Sequence, residues 1–225
     1  MEILSVTASA LQLLREKIIT GELKPGQKLN ESALSIELGI SRPPLREAFR
    51  LLEKDHLVVN VPRRGTYVAE LSAQDFTEVA QVREMIECYT IDLLEAAGTR
   101  NMPKVSAALD KASDLPVPLT SAGPNDLLAY IKVFLDFHHS LVESSGNAML
   151  TQIYHSIGFY LARYQFVYFQ IDGTAQRSLR DHNRTVEFIR KGKYDQAREE
   201  LRKHIQFAVE MVKNRIAHPA LSRTA

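Results

Sequence analysis

The sequence predicts a mainly α chain in two parts: a winged helix-turn-helix of three helices and a β-hairpin, then an all-α bundle of about six helices. Three observations carry this. Apolar residues recur at helical spacing along most of the chain. β-Branched residues concentrate in two short runs, LVVNV (57–61) and GTYVAEL (65–71), joined by Pro62, Arg63 and Arg64 as in a hairpin. From Ser72 onward every segment reads as helix or connecting loop. The division falls near residues 70–74, with a first domain over 1–71 and a second over 75–217.

The elements follow in order. Ser9 to Thr20 places Ala10, Leu11, Leu14 and Ile18 on one helical face and stops at Gly21. ELKPGQKL (22–29) reads as a turn, with Pro25 and Gly26 as its signal. Asn30 suits the N-cap of a second helix whose apolar residues are Leu34, Ile36 and Leu38, and Gly39 ends it. In GISRPPLREAFR (39–50), Pro43 and Pro44 stand just before Leu45, Ala48 and Phe49. Proline lacks a backbone N–H and fits only the first turn of a helix. A third helix therefore starts here, capped by Ser41 and running to about His56.

In the second part, Ser72 and Asp75 open a long helix through Ala97, ended by Gly98. A shorter helix covers 102–113 and a proline-rich loop 114–125. Asn125 is the expected cap of a helix reaching Ser145, broken by Gly146 and Asn147. Two long segments follow over 147–171 and 174–191, and a last one runs from Gly192 to Ala217.

Composition narrows the function classes. At 225 residues, with 45% hydrophobic and 24% charged residues, the chain is of ordinary globular type. The net charge of +1 gives no global field, so any surface for a polyanion must be local. The lone Cys88 excludes an internal disulfide framework and fits a reducing compartment. No apolar run approaches the roughly 20 residues of a membrane span. The opening MEILSVTASALQLLREKI carries an acid at position 2 and helical periodicity, unlike a secretion signal, so the expected location is the cytoplasm.

The local basic surface sits on the third helix. Arg42, Arg46 and Arg50 lie at i, i+4 and i+8, one stripe, while Leu45, Phe49 and Leu52 face inward. A helix N-terminus attracts phosphate, and a guanidinium there adds the planar fork that matches guanine O6 and N7. Arg63 and Arg64, at the hairpin tip before Gly65, reach phosphates or the adjacent minor groove. The competing reading is a solvated face on which Glu47, Glu53 and Asp55 pair with these arginines. The order of helix, short turn, proline-started basic helix and basic wing favours double-stranded DNA.

The stretch IITGELKPGQKLNESALSIELGISRPPLREAFRLLEKDHLVVNVPRRGTYV resembles the N-terminal module of the GntR-type transcription regulators over nearly its full length. The Pro-Gly turn, the LGxSRxPxREA core and the RGxxV wing occur in order and spacing. The resemblance implies DNA contacts from Ser32, Ser41, Arg42, Pro43, Arg46, Arg64 and Gly65. Pro43 departs from the pattern, because threonine is usual there and its hydroxyl is lost.

In the second part, His138, His182 and His204 lie on three different predicted helices, and their spacing does not show that they meet. Taken singly, each suits a surface or core position as well as a ligand. QVREMIE, FHHSLVESSGN and RDHNRTVEFIRKGKYDQAREELRKHI resemble the FCD effector domain, in its shorter VanR-like form, over most of residues 75–212. The resemblance implies that these three histidines bind a divalent metal such as zinc. Metal-binding members usually carry an aspartate four residues before the first histidine, where this chain has Phe134. Asp136 lies about 200° around the helix from His138 and does not replace it. Three imidazoles still hold zinc with an open position, or the histidines contact an effector directly.

Arg83 is a candidate clamp for an effector carboxylate, or an i,i+4 partner of Glu87. Tyr160, Arg163 and Tyr164 form a polar-aromatic cluster suited to an effector contact, a subunit interface or a core edge. The combined expectation is a homodimeric repressor on a pseudo-palindromic operator, controlled by a small carboxylate such as an organic or sugar acid. The alternatives are a regulator for which the ion is the signal, and a metal-dependent hydrolase. Against the hydrolase, no glutamate is evident beside any of the three histidines, and an attached DNA module gives catalysis no obvious purpose.

Overall fold

The computed structural model describes residues 5–115 and 123–218, which divide into two compact units between Leu71 and Ser72. The first holds α1 (Val6–Ile19), β1 (Lys28–Leu29), α2 (Glu31–Leu38), α3 (Arg42–Lys54), β2 (Val58–Val61) and β3 (Gly65–Val68). α1 begins earlier than the apolar pattern indicates, because the Ser5 side chain accepts the Ala8 N–H. Asn30 caps α2 by accepting from Ser32 and Ala33, and Gly39 ends it at φ 63°.

α3 starts at Arg42 with Ser41 at its N-cap position, yet the Ser41 side chain makes no capping bond. The prolines explain this. An N-cap oxygen accepts from the second or third helical N–H, and here those residues are Pro43 and Pro44, which have none. Leu45, Ala48 and Leu52 of α3 are fully buried with Leu14 of α1 and Leu57, while Ile36 of α2 is 83% exposed.

The sheet has three strands in the order β1-β3-β2, both pairings antiparallel, with Val61 opposite Gly65 at the hairpin end. β1 lies in the stretch expected to be a plain turn. Gly26 donates to the Val68 carbonyl and Val68 to that of Gln27, which draws the segment onto β3. Two residues hold no periodicity, so only the pairing reveals this strand.

The second unit is a bundle of α4 (Ala73–Ala96), α5 (Pro103–Ser113), α6 (Pro124–Glu143), α7 (Ala148–Ser156), α8 (Gly158–Phe169), α9 (Thr174–Arg190) and α10 (Tyr194–Ala217). α10 packs along α4 and α9 over a core that includes Ile91, Val105, Phe137, Leu141, Ile189 and Leu201. Ser72 caps α4 through the Asp75 N–H. α6 is capped at Gly123, whose N–H donates to Asp126, rather than at Asn125, because Pro124 takes the first-turn place. The segment expected as one helix over 147–171 is two, interrupted at Ile157. Residues 116–122 of the proline-rich loop lie outside the described residues.

Candidate functional site

The basic face of the first unit comes from α3 and the wing. Arg42, Arg46 and Arg50 are exposed, as are Ser32, Ser41, Pro43, Arg63, Arg64 and Gly65. The competing ion pairs exist but are loose. Arg46 is 4.0 Å from Glu31 and Arg50 3.4 Å from Glu47, with the two arginine side chains 58% and 76% exposed. Asp55 pairs instead with Arg15 of α1, and Glu53 accepts the Asn60 N–H, tying β2 to α3. Pairs this exposed contribute little and yield readily to a polyanion. At the wing tip Arg63 has φ 63°, a left-handed conformation costly for a side chain larger than glycine.

In the second unit α6, α9 and α10 bring His138, His182 and His204 together. A ring nitrogen from each lies within 4.8 Å of the others, and all three residues are buried. Nε2 of His182 is 3.2 Å from Nε2 of His204, close to the spacing of two nitrogens on a tetrahedral zinc with bonds of about 2.0–2.1 Å. Carboxylates stand behind two of the rings. Glu87 is 3.0 Å from Nδ1 of His138 and Asp181 3.5 Å from Nδ1 of His204. Glu87 favours the His138 tautomer with Nδ1–H turned outward and the Nε2 lone pair turned in, whereas Nδ1 of His204 makes no hydrogen bond among the described residues. His182 lies flat on Phe137, with ring centroids 3.9 Å apart, and its Nδ1 has no partner.

Burial sets the charge state of this cluster. Desolvation, reinforced by the nearby Arg83 guanidinium, outweighs Glu87 and pushes His138 down to about 3. Desolvation also lowers His182, helped by the other two histidines, and His204, against its contact with Asp181. All three rings are thus neutral, the form that ligates metal. For Glu87, burial raises the carboxyl, but Arg83 and the His138 contact outweigh it and hold it well below the usual carboxylate range. The His138–Glu87 contact is therefore a hydrogen bond from a neutral ring to a carboxylate, not an ion pair.

Arg83, 4% exposed, lines the cavity beside the three histidines. It forms the expected i,i+4 pair with Glu87, at 2.8 Å. Phe134, in the position that usually carries an acidic ligand, is an apolar wall of the cavity, its ring 5.7 Å from that of His182. Free space at the centre is about 20 Å³, room for one water. Arg163 is buried but is not among the residues lining this cavity. Tyr164 stacks on Phe76 and donates to the Ser72 carbonyl, a packing role at the start of α4.

Sequence reasoning named Glu87 only as the partner of Arg83 and missed Tyr154, Asp181 and Gln165. Glu87 stands against His138 from 51 positions away in sequence, and Tyr154 donates to that carboxylate. Asp181 directly precedes His182 but serves His204. Gln165 lines the cavity with its carbonyl oxygen buried and unpartnered. A lone amide within the apolar run of α8 was the one local signal for it.

Residues 7–68 match the gntR family of bacterial regulatory proteins, and residues 78–207 match the FCD domain. The chain belongs to the GntR family, with an FCD domain. Proteins similar to it include the HTH-type transcriptional regulator YdhC of Bacillus subtilis, 28% identical over 89% of this chain and 88% of that one. The gluconate operon transcriptional repressor of Bacillus licheniformis is 26% identical, over 64% and 57% of the two chains. Among solved structures, a putative GntR regulator from Rhodococcus sp. RHA1 has a TM-score of 0.72 at 24% identity, covering 92% of this chain and 96% of its own. That likeness is one of fold. The GntR family is one of transcription regulators rather than enzymes, which removes the hydrolase reading. No helix among the described residues is long and apolar enough to cross a membrane.

Proposed function

We propose that this GntR chain is a repressor that binds a pseudo-palindromic operator as a homodimer, with its affinity set by a small acid held in the bundle. Residues 1–71 carry the DNA contacts. Arg42, Arg46 and Arg50 enter the major groove from α3, Ser32 and Ser41 meet phosphates, and Arg63, Arg64 and Gly65 follow along the wing. Residues 75–217 carry the effector and the subunit contact. The observation that carries the effector reading is a cavity lined by Arg83, three neutral histidines and the unpartnered Gln165, inside an otherwise apolar bundle. Buried polar groups in that number need a partner.

Charge indicates how an acid would be held. Glu87 already neutralises Arg83, and the histidines are neutral. A carboxylate entering alone would thus find no net positive charge. A divalent cation on His138, His182 and His204 would supply it and offer an open coordination position. The test is a titration of the full chain against a duplex it selects from a random pool, with and without gluconate, zinc and chelator. Gluconate is expected to shift affinity by about tenfold when zinc is present. No response to gluconate, zinc or chelator sinks the reading. The small free volume supports a second reading, in which the ion itself is the signal. A full response to chelator without any acid would select it.

The subunit contact is supported by where the bundle leaves apolar side chains exposed. Val82, Met85 and Tyr89 of α4 and Met149 and Ile153 of α7 are its exposed large hydrophobics among the described residues, and α4 packs against α7. Such clustering marks an interface. Met85→Asp is expected to convert a dimer to a monomer in sedimentation velocity; an unchanged dimer would move the interface elsewhere.

A further inference from the structure

The short strand β1 places beside the wing a cation that residue spacing does not reveal. Lys28 and Tyr67 stand directly opposite in the β1–β3 ladder, so their side chains share a face of the sheet. Leu29 and Val68, the next residues along, are buried, so that face is the outer one. The Lys28 side chain does not stand straight out from it. Its Cε comes to 3.3 Å, and its Nζ to 4.0 Å, from the point where a Cβ on Gly65 would lie, two residues nearer the hairpin tip. Gly65 has no side chain, so the lysine stem passes. Tyr67 leans the same way. Its hydroxyl donates to the Arg64 carbonyl at 3.4 Å, and its ring centroid is 5.8 Å from Nζ of Lys28, inside the range of cation–π attraction.

The ammonium group therefore ends beside the turn that carries Arg63 and Arg64, and all three residues are exposed. Among the described residues, no carboxylate forms an ion pair with any of them. Cations gathered without a counter-ion repel one another, and an anion from outside relieves that repulsion. The closely spaced phosphates of a duplex supply one. We infer that Lys28 is a phosphate contact of the wing, delivered from a strand outside the hairpin, so that the wing meets DNA with three cations rather than two. This rests on the wing being a DNA surface and adds a residue to it. A lysine that only guards an edge strand against pairing acts by placing its charge at that edge. Lys28 instead runs along the sheet toward the tip.

The test is binding of the full chain, at several salt concentrations, to a duplex selected from a random pool and to an unrelated duplex. Lys28→Met keeps most of the stem and removes the charge. It is expected to weaken binding to both duplexes by the same factor, roughly fivefold, because phosphates carry no sequence information. The slope of log affinity against log salt should become shallower by about one. Lys28→Arg keeps the charge and should keep the slope. Should Lys28→Met fail to fold, Lys28→Gln takes its place. Arg64→Met is the control for the wing itself. If Arg64→Met flattens the slope while loss of the Lys28 charge changes neither slope nor affinity, Lys28 is an edge lysine and the inference falls with the wing standing. If neither variant changes the slope, the wing does not meet the duplex and both readings fall. A loss that Lys28→Arg shares in full assigns the lysine to packing and overturns the contact as well.

Discussion

Arg46 of α3 and Arg83 of α4 are the same side chain put to opposite uses. Arg46 is 58% exposed with its nearest carboxylate at 4.0 Å. Arg83 is 4% exposed, with Glu87 at 2.8 Å and His138 within hydrogen-bonding distance. An exposed guanidinium with a loose partner is available to a long external polyanion, and its charge is softened by salt. A buried one with a fixed partner is unavailable to anything that does not enter the protein, and salt barely reaches it. The first arrangement suits a surface that must find and leave DNA, the second a switch that must answer one small ligand.

The largest expected effect tests the buried side. Glu87→Ala leaves the Arg83 charge buried without its counter-ion, and is expected to cost about 3–5 kcal/mol of stability in urea unfolding of the bundle. Adding Arg83→Met should restore most of that, because removing both charges is far less costly than removing one. A Glu87→Ala protein as stable as the wild type would mean that Arg83 reaches water after all, and the contrast with Arg46 would dissolve. The exposed side predicts the reverse pattern. Arg46→Ala should cost about 1–3 kcal/mol of specific operator binding and leave stability within about 0.5 kcal/mol. Operator titration at fixed salt and urea unfolding check the two halves separately.

The same contrast explains what was legible in the sequence. Everything that depends on neighbours along the chain could be read: the Asn30 cap, the Gly39 stop, the proline start of α3, the Ser72 cap and the Arg83–Glu87 pair. The arginine stripe of α3 is a local feature, so residue spacing alone is enough to draw the candidate DNA surface. The bundle site is made across distance. His138 meets partners 55 and 51 residues away in sequence, Arg83 and Glu87, and no periodicity encodes such meetings. The cluster entered through the FCD resemblance, and the contact of Glu87 with His138, together with Tyr154, Asp181 and Gln165, was missed because nothing local marks these residues as part of the site. β1 and the break at Ile157 escaped for a related reason, since one is made by pairing with β3 and the other carries no proline.

The smallest expected effect lies at the wing, where exposure and strain meet. Arg63 sits at φ 63°, a conformation that glycine adopts without penalty. Arg63→Gly relieves that strain but loosens the unfolded chain, so the two contributions nearly cancel and stability should change by less than about 1 kcal/mol. Were Arg63 only a solvated turn residue, operator binding would be equally indifferent. As a phosphate contact it predicts a uniform loss across operator sequences and a salt dependence shallower by about one unit of slope. Titrations of wild type and variant at several salt concentrations separate these outcomes. Parallel slopes would mean that the strained tip does not touch the duplex and that α3 alone carries the charge-dependent binding.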